Sequence, residues 1–316
     1  MINVRINHRM KAGKKKKTYS SGAWFFLAPA VIVLFLVGIF PLLFALWNSL
    51  HQFILPKVHS QGSFLGVWPL FDAPFNWFGN YVALLTDQSF QEALTRTLIF
   101  LVINLPIQLV LGLAIALLLH KPGNELLKKI GRVSLVVPLA TTFAVVGLMG
   151  RLLFNLDFGV LNYFCSVIFG HRLDWLADPN LAFVSISIME DWQWTPFCAL
   201  ILFSSLTMVP VEIEEAARLE TDKWWHILWK VQLPFMLPGI TVILILRTAD
   251  ILKLFDVVYT MTRGGPGSAT ELISVFVQRI GFRVFDQGMA SAQAVVMLVI
   301  ATILSRLYVK YVYKEI

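Results

Sequence analysis

Six stretches of this chain stay apolar for about the length of a membrane-crossing helix: roughly 24–46, 98–119, 133–153, 181–208, 236–260 and 288–309. About 20 apolar residues at helical rise cross the hydrocarbon core of a bilayer. A backbone there must satisfy its own hydrogen bonds, which a helix does within one segment. The runs therefore predict an all-α integral membrane protein with six transmembrane helices. Composition agrees: charged residues make up 14% and mean hydropathy is +0.72, whereas soluble domains carry about 25% charge. Two runs are not clean. Glu190-Asp191 interrupts the fourth, and Arg247, Asp250, Lys253 and Asp256 interrupt the fifth. Such charges are expensive in lipid, so they are expected to face protein or water.

Basic residues orient the runs. The tail before the first run (1–23) holds Arg5, Arg9, Lys11 and Lys14–Lys17. Lys121, Lys128, Lys129 and Arg132 follow the second run, Arg218, Lys223 and Lys230 the fourth, and Arg306, Lys310 and Lys314 close the chain. These are 17 of the 26 Lys and Arg. The connection between the first two runs carries only Lys57 before Arg96. By the positive-inside rule both termini are expected to be cytoplasmic and the body 24–316 reads as a six-span, multi-pass protein of the cell membrane. The first run is too long for a signal-peptide core and no small-x-small site closes it, so it reads as an uncleaved span. The connection from about 47 to 91 is rich in Pro, Gly and aromatics, among them Pro56, Gly62, Gly66, Trp68, Pro69, Pro74, Trp77 and Phe78. It reads as an outer cap of small helices and turns with an interfacial aromatic belt. Gly264-Gly265-Pro266-Gly267 is a strong turn signal on the same side.

Several chemistries are excluded by what is missing. No Gly-x-x-x-x-Gly-Lys-Ser/Thr occurs, since Gly13-Lys14 lacks the earlier Gly and the hydroxyl, so the chain is not expected to hydrolyse ATP. No nucleophile or metal signature lies near a run, and Cys165 and Cys198 sit in separate segments without ligand spacing. Neither a catalytic residue, a metal nor a cofactor is expected. His120 and His171 sit near span ends, where an interfacial role suffices. The lysine run lacks interleaved aromatics and reads as a tail attracted to anionic lipid rather than to nucleic acid.

Between the fourth and fifth runs, about 209–235, the chain turns polar. Glu214-Glu215-Ala216-Ala217-Arg218-Leu219-Glu220 reads as a surface helix whose small residues allow a close approach by another protein, and Val231-Gln232-Leu233-Pro234 follows. Any multi-pass protein has charged cytoplasmic loops, so Glu-Ala-Ala alone is weak. Its value rises from its place before the penultimate run, from the Leu-Pro ending, and from Trp194-Thr195-Pro196-Phe197 upstream. Together these resemble the coupling loop of permease subunits of binding-protein-dependent ABC importers. Phe255–Glu271 resembles the outer loop of the sugar-importing branch, most like its maltose-type and glycerol-phosphate-type members. One departure stands out: Thr221 occupies the place where the family usually has Gly. A β-branched residue does not suit positive φ, so either the turn after the helix is built differently, which is the expectation, or this loop is the less typical of a pair. The resemblance implies a type I ABC importer permease fold, with Glu214, Glu215, Ala216, Ala217, Arg218, Glu220 and Thr221 at the ATPase contact. It further implies a heterodimer with a second permease, two copies of an ATP-binding subunit, an extracytoplasmic solute-binding protein, and import by alternating access.

Polar residues inside the runs are the candidates for a solute path. Glu190 and Trp194 are four apart and share a helix face, with Phe197 close to it. Arg247 and Asp250 are three apart, and Lys253 and Asp256 continue the stripe. These charges either contact solute or neutralise one another between helices. Thr141-Thr142 offer hydroxyls to solute or to a neighbouring helix, and Asn104 and Gln108 share a face suited to interhelical hydrogen bonds. The resemblance puts sugar contacts on the third to fifth spans, so Thr141, Thr142, Glu190, Asp191, Trp194, Phe197, Arg247 and Asp250 form the expected site. Carboxylate, guanidinium and aromatic faces suit a neutral sugar or polyol, and the three acidic residues disfavour an anion. A stand-alone secondary transporter, with these charges as ion relays, is the second reading; an intramembrane enzyme is the third, disfavoured by the missing constellations.

Overall fold

The computed structural model describes residues 21–54, 73–121 and 123–313. The lysine run and Pro56, Gly62, Gly66, Trp68 and Pro69 lie outside them. The chain divides into two compact units, residues 1–45 and 46–316. In the first, α1 (Ser21–Leu34) passes through a π turn (Phe35–Ile39) into α2 (Phe40–Ser49), whose last residues belong to the second unit.

The second unit continues with α3 (Gly79–Thr86), α4 (Gln88–His120), α5 (Glu125–Ser134), α6 (Val136–Ala140), α7 (Phe143–Leu153), α8 (Val160–Phe169) and α9 (Pro179–Leu206). Then come α10 (Val211–Glu220), α11 (Trp224–Ile227), α12 (Leu233–Leu252), α13 (Asp256–Met261), α14 (Ile273–Phe282) and α15 (Gln287–Tyr311). No β-strand occurs among the described residues. Among the described residues, four helices are long and apolar enough to cross a membrane: Phe26–Ser49, Gln88–His120, Trp224–Leu252 and Gln287–Tyr311. Two bent pairs bring the number to as many as six. Glu125–Ala140 and Phe143–Leu153 meet at 96°, and α9 meets α10 at 84°.

The third run is thus broken where one helix was expected over 133–153. Thr141 and Thr142 are extended, with ψ of 131° and 147°. Thr141 Oγ1 donates to Val137 O, and Gln193 Nε2 donates to the Thr141 carbonyl freed by the break. A side chain of a neighbouring helix therefore replaces the missing intrahelical bond, as non-helical backbone at membrane depth requires. The fifth helix differs too. It begins at Trp224 rather than near 236 and stops at Leu252 rather than near 260. A π turn at Leu228–Gln232 precedes Leu233-Pro234, and its altered bonding tolerates a residue without an N–H. After a break at Lys253–Phe255 the chain resumes as α13.

Helix α9 is the centre of the unit. Asp178 caps its N-terminus through Asn180 and Leu181 N–H groups, and Pro179 opens its first turn. It packs along α4 and against α12 and α6. Gly112 makes the α4–α9 approach possible, since a Cβ there would lie 2.8 Å from Cys198 Cβ. Phe100, Ile186, Met189 and Ile251 fill one apolar cluster beside it; Cys198, Leu202, Met236 and Ile243 fill a second. The turn signal at Gly264–Gly267 is a turn in the structure, with φ of +89° at Gly264 and +59° at Gly267.

Candidate solute site and coupling helix

Three helices meet at one buried polar cluster. Arg247 of α12 is fully buried, and its Nη2 lies 2.5 Å from Glu190 Oε1 of α9, itself 1% exposed. Arg247 Nε donates to Gln108 Oε1 of α4 at 3.0 Å, and Gln108 Nε2 donates to Asp191 Oδ1 at 3.0 Å. The Gln108 amide orientation follows from chemistry, because only its oxygen can accept from a guanidinium and only its nitrogen can donate to a carboxylate. Arg247 Nη1 reaches Asp250 at 3.4 Å, and Asp250 also pairs with Lys253 at 3.0 Å. One step along α4, Asn104 donates to Ser187 Oγ. A buried charge left unpaired is severely destabilising, and Arg247 is held on three sides.

Trp194 joins this cluster to open space. The Arg247 guanidinium lies 4.1 Å from its ring centroid, a cation–π distance. Its other neighbours are Phe143, near-parallel at 6.0 Å, and Phe197, edge-on at 5.7 Å. Two cavities share Trp194 and Phe143 as walls. One, of about 330 Å³, is bounded by Thr141, Thr142 and Gln193. The other, of about 220 Å³, is bounded by Glu190, Asp250, Lys253, Phe255 and Asp256. Of the expected residues, Thr141, Thr142, Glu190, Trp194 and Asp250 therefore border these spaces. Arg247 and Asp191 are engaged by Gln108 behind them, and Phe197 packs into the apolar cluster at Cys198. The mutual neutralisation that stood as the alternative for the charges is present as the Glu190–Arg247 pair, although Glu190 Oε2 is buried without a hydrogen-bond partner among the described residues. Phe143 and Gln193 border the site without having been singled out. Their signal was position alone: Phe143 follows Thr141-Thr142, and Gln193 lies between Asp191 and Trp194.

The polar loop forms α10. Its exposed face carries Glu212, Glu215, Ala216 and Leu219, at the i, i+3, i+4, i+7 spacing of one helix stripe. Glu212 and Glu214 in the first turn suit the positive end of the helix dipole. Glu214 turns inward, accepting from Arg218 at 2.7 Å and meeting His120 Nε2, at the end of α4, at 3.5 Å. Burial pushes the Glu214 pKa up, but the bonds from Arg218 and His120 outweigh it and the net position is below the usual carboxylate value. Thr221 is extended, with φ −155° and ψ 134°, and its hydroxyl accepts from the Lys223 N–H. The turn is therefore built without the positive φ that Gly would serve. A cavity of about 680 Å³ separates α10 from α4 and α11, bounded by Leu117, Lys121, Arg218, Trp224 and Gln232 among others.

A bundle of apolar helices around a buried polar cluster, with a polar helix turned sharply across one end, defines a membrane-embedded transport subunit. Residues 77–316 match the model of the family described as binding-protein-dependent transport system inner membrane component, and the chain belongs to that family. It is a permease subunit of an ABC importer located in the inner membrane, and ATP is hydrolysed by a separate subunit rather than by this chain. A stand-alone ion-coupled carrier is thereby set aside. Among its relatives is the trehalose/maltose transport system permease protein MalF of Thermococcus litoralis, 29% identical over 90% of this chain and 91% of that protein. Another is the sulfoquinovosyl glycerol transport system permease protein SmoG of Agrobacterium fabrum, 30% identical over 90% of this chain and 88% of that protein. In fold, the chain is similar to a subunit of a bacterial ABC transporter that imports the acidic polysaccharide alginate. The TM-score is 0.75 at 18% identity, covering 92% of this chain and 96% of the other.

Proposed function

We propose that this subunit moves a neutral sugar, oligosaccharide or polyol into the cytoplasm past Trp194. The observation that carries this reading is the Trp194–Phe143 ring pair, which walls two adjoining cavities. Aromatic faces suit the C–H face of a pyranose. Gln193, Thr141 and Thr142 on one side, and Asp250, Lys253 and Asp256 on the other, supply donors and acceptors for hydroxyl groups. Arg247 serves the site from behind, lying over the Trp194 ring, and Glu190, on the cavity wall, holds Arg247 there. Relatives named for trehalose/maltose and lactose transport support a sugar cargo. The carboxylates of Asp250 and Asp256 favour a neutral one.

In this reading both termini are cytoplasmic, and the subunit pairs with a second permease, two ATP-binding subunits and an extracytoplasmic solute-binding protein. The exposed stripe of α10 docks on the ATP-binding subunit, where the Glu215 carboxylate accepts charge-assisted hydrogen bonds. ATP binding favours the outward-open state only through differential affinity for the two conformations. The test is uptake by the complete transporter in vesicles. Trp194→Ala should raise the apparent KM about tenfold, which corresponds to ~1.4 kcal/mol of lost contact, while the ATP-binding subunit still co-purifies. Trp194→Phe, keeping a ring, should recover most of it. Native uptake in Trp194→Ala would reject the site.

A further inference from the structure

The geometry points to α4 as the third arm of a lever that joins the coupling helix to the polar cluster, with His120 and Gln108 as its positioning residues. This rests on the transport reading above and adds which residues carry the movement. Three helices, α4, α9 and α12, meet through Gln108, Asp191 with Glu190, and Arg247. The same three helices meet again at α10. Helix α9 reaches α10 through the chain segment Thr207–Pro210, and α12 reaches it through Thr221–Lys223 and the continuous helix from Trp224. Helix α4 has no such covalent path. Its last residue, His120, touches Glu214 of α10 instead.

A displacement of α10 is transmitted to α9 and α12 by peptide bonds, and to α4 by its packing along α9 and, at its last residue, by the His120–Glu214 contact. Helix α4 is suited to carry it. Gln108 and His120 lie about 18 Å apart along one helix at 1.5 Å per residue, on the cytoplasmic side of its only internal proline, Pro106. Gly112, between them, is seated directly on Cys198 and Ala199 of α9. Glu214 is held ready for His120 by Arg218, whose guanidinium lies on the same carboxylate. Lys121 and Asp222 are the other charged groups bordering the adjoining cavity. At the far end, Gln108 is the only described side chain that bonds both Asp191 and Arg247. If α4 lagged behind the other two helices, the Gln108 amide would be drawn from one or both partners, leaving buried polar groups unpaired, which is costly. The lever therefore keeps the cluster closed while it moves, and through Arg247 keeps Trp194 in place.

The experiment reads conformation without solute, so that its failure is distinct from failure of the sugar site. In the complete transporter, a cysteine at the exposed Thr142, on the cavity wall, is labelled with a thiol reagent with and without ATP plus vanadate. The rate is expected to change between the two states. His120→Ala, in a complex that still assembles, should shrink that change at least about fivefold, the lower end of couplings between distant sites. His120→Gln, whose amide N–H still reaches Glu214, should restore it. Gln108→Leu should also shrink it, and the double change His120→Ala with Gln108→Leu should be no worse than the more severe single. Should His120→Ala not assemble, Glu214→Ala is read in its place with the same expectation. An intact labelling change in His120→Ala, absence of any change in the native transporter, or losses that multiply in the double variant would each overturn the lever. A purely structural tether would lower assembly in His120→Ala and Glu214→Ala alike while sparing the labelling change, and that too would overturn it. Trp194→Ala, by contrast, bears only on the sugar site.

Discussion

Removing one charge from the Glu190–Arg247 pair gives the sharpest energetic test of the cluster. Both side chains are buried and their closest atoms are 2.5 Å apart. Two unit charges about 4 Å apart attract by ~4 kcal/mol at an effective dielectric near 20, and desolvation cancels much of that in the intact pair. Truncating one partner does not recover the desolvation of the other, so such changes cost about 3–5 kcal/mol. Arg247 would keep Gln108 at 3.0 Å, the long contact to Asp250 at 3.4 Å, and the Trp194 face at 4.1 Å. Glu190→Gln should therefore fall near the lower end, ~3 kcal/mol, and Arg247→Gln should cost at least as much because it leaves Glu190 and Gln108 without their donor. The double change Glu190→Gln with Arg247→Gln should recover ~1–3 kcal/mol of the summed loss, as contacting residues do in double-mutant cycles. The assay is equilibrium unfolding of the assembled transporter in mixed detergent micelles. Additivity within ~0.5 kcal/mol would refute the pair as the element that joins α9 to α12. Full recovery of both stability and transport in the double variant would show instead that Glu190 contributes nothing further to solute contact.

Other expectations follow from the same geometry. Gly112→Val places a Cβ 2.8 Å from Cys198 Cβ, which backbone shifts of ~1–3 kcal/mol would have to absorb, so reduced thermal stability of the complex is expected; native stability would mean that α4 and α9 are not packed this closely. The Glu214 pKa is lowered in the folded protein, so the contribution of its contacts is present above the ordinary carboxylate value of about 4.3 and is lost as pH falls through the lower, folded value. Attachment of the ATP-binding subunit should weaken on that acidic limb in the native complex, and less so in Glu214→Gln. For topology, a cysteine at exposed His171 should label from outside with an impermeant reagent, and one at exposed Lys129 should not; the reverse pattern would overturn the orientation. Ala216→Trp, on the outer stripe of α10, should insert normally yet lose the ATP-binding subunit, and full transport in that variant would make α10 ordinary solvated surface.

The sequence revealed the helices that lipid must surround and hid the places where they bend. Apolar runs near 98–119 and 288–309 lie within α4 and α15 because composition alone dictates a lipid-facing helix. The break at Thr141-Thr142 was invisible, since two threonines in an apolar run break a helix only when a partner such as Gln193 takes the freed carbonyl. The early start of the fifth helix was masked by Lys223, Lys230 and Pro234, which read as loop residues until the π turn accommodates the proline. At the candidate site, periodicity placed Glu190 beside Trp194 and Arg247 beside Asp250. Their partnership across 57 residues is a property of packing, which no local spacing encodes. Gln108 looked like one more interhelical hydrogen bond, because its two partners belong to two other helices. Thr221 was the opposite case: the sequence flagged an altered turn, and its extended backbone bears that out for a plain steric reason.

Thiol protection at the cavity wall tests whether solute occupies the space beside Trp194. With a cysteine in place of Thr142, the transporter is labelled in the absence of binding protein while sugars and polyols are added in turn. The transported neutral sugar should slow labelling in a saturable way, a sugar that is not transported should have no effect, and the protection should disappear in Trp194→Ala. Labelling at the same rate with and without the transported sugar would mean that solute does not pass beside Trp194.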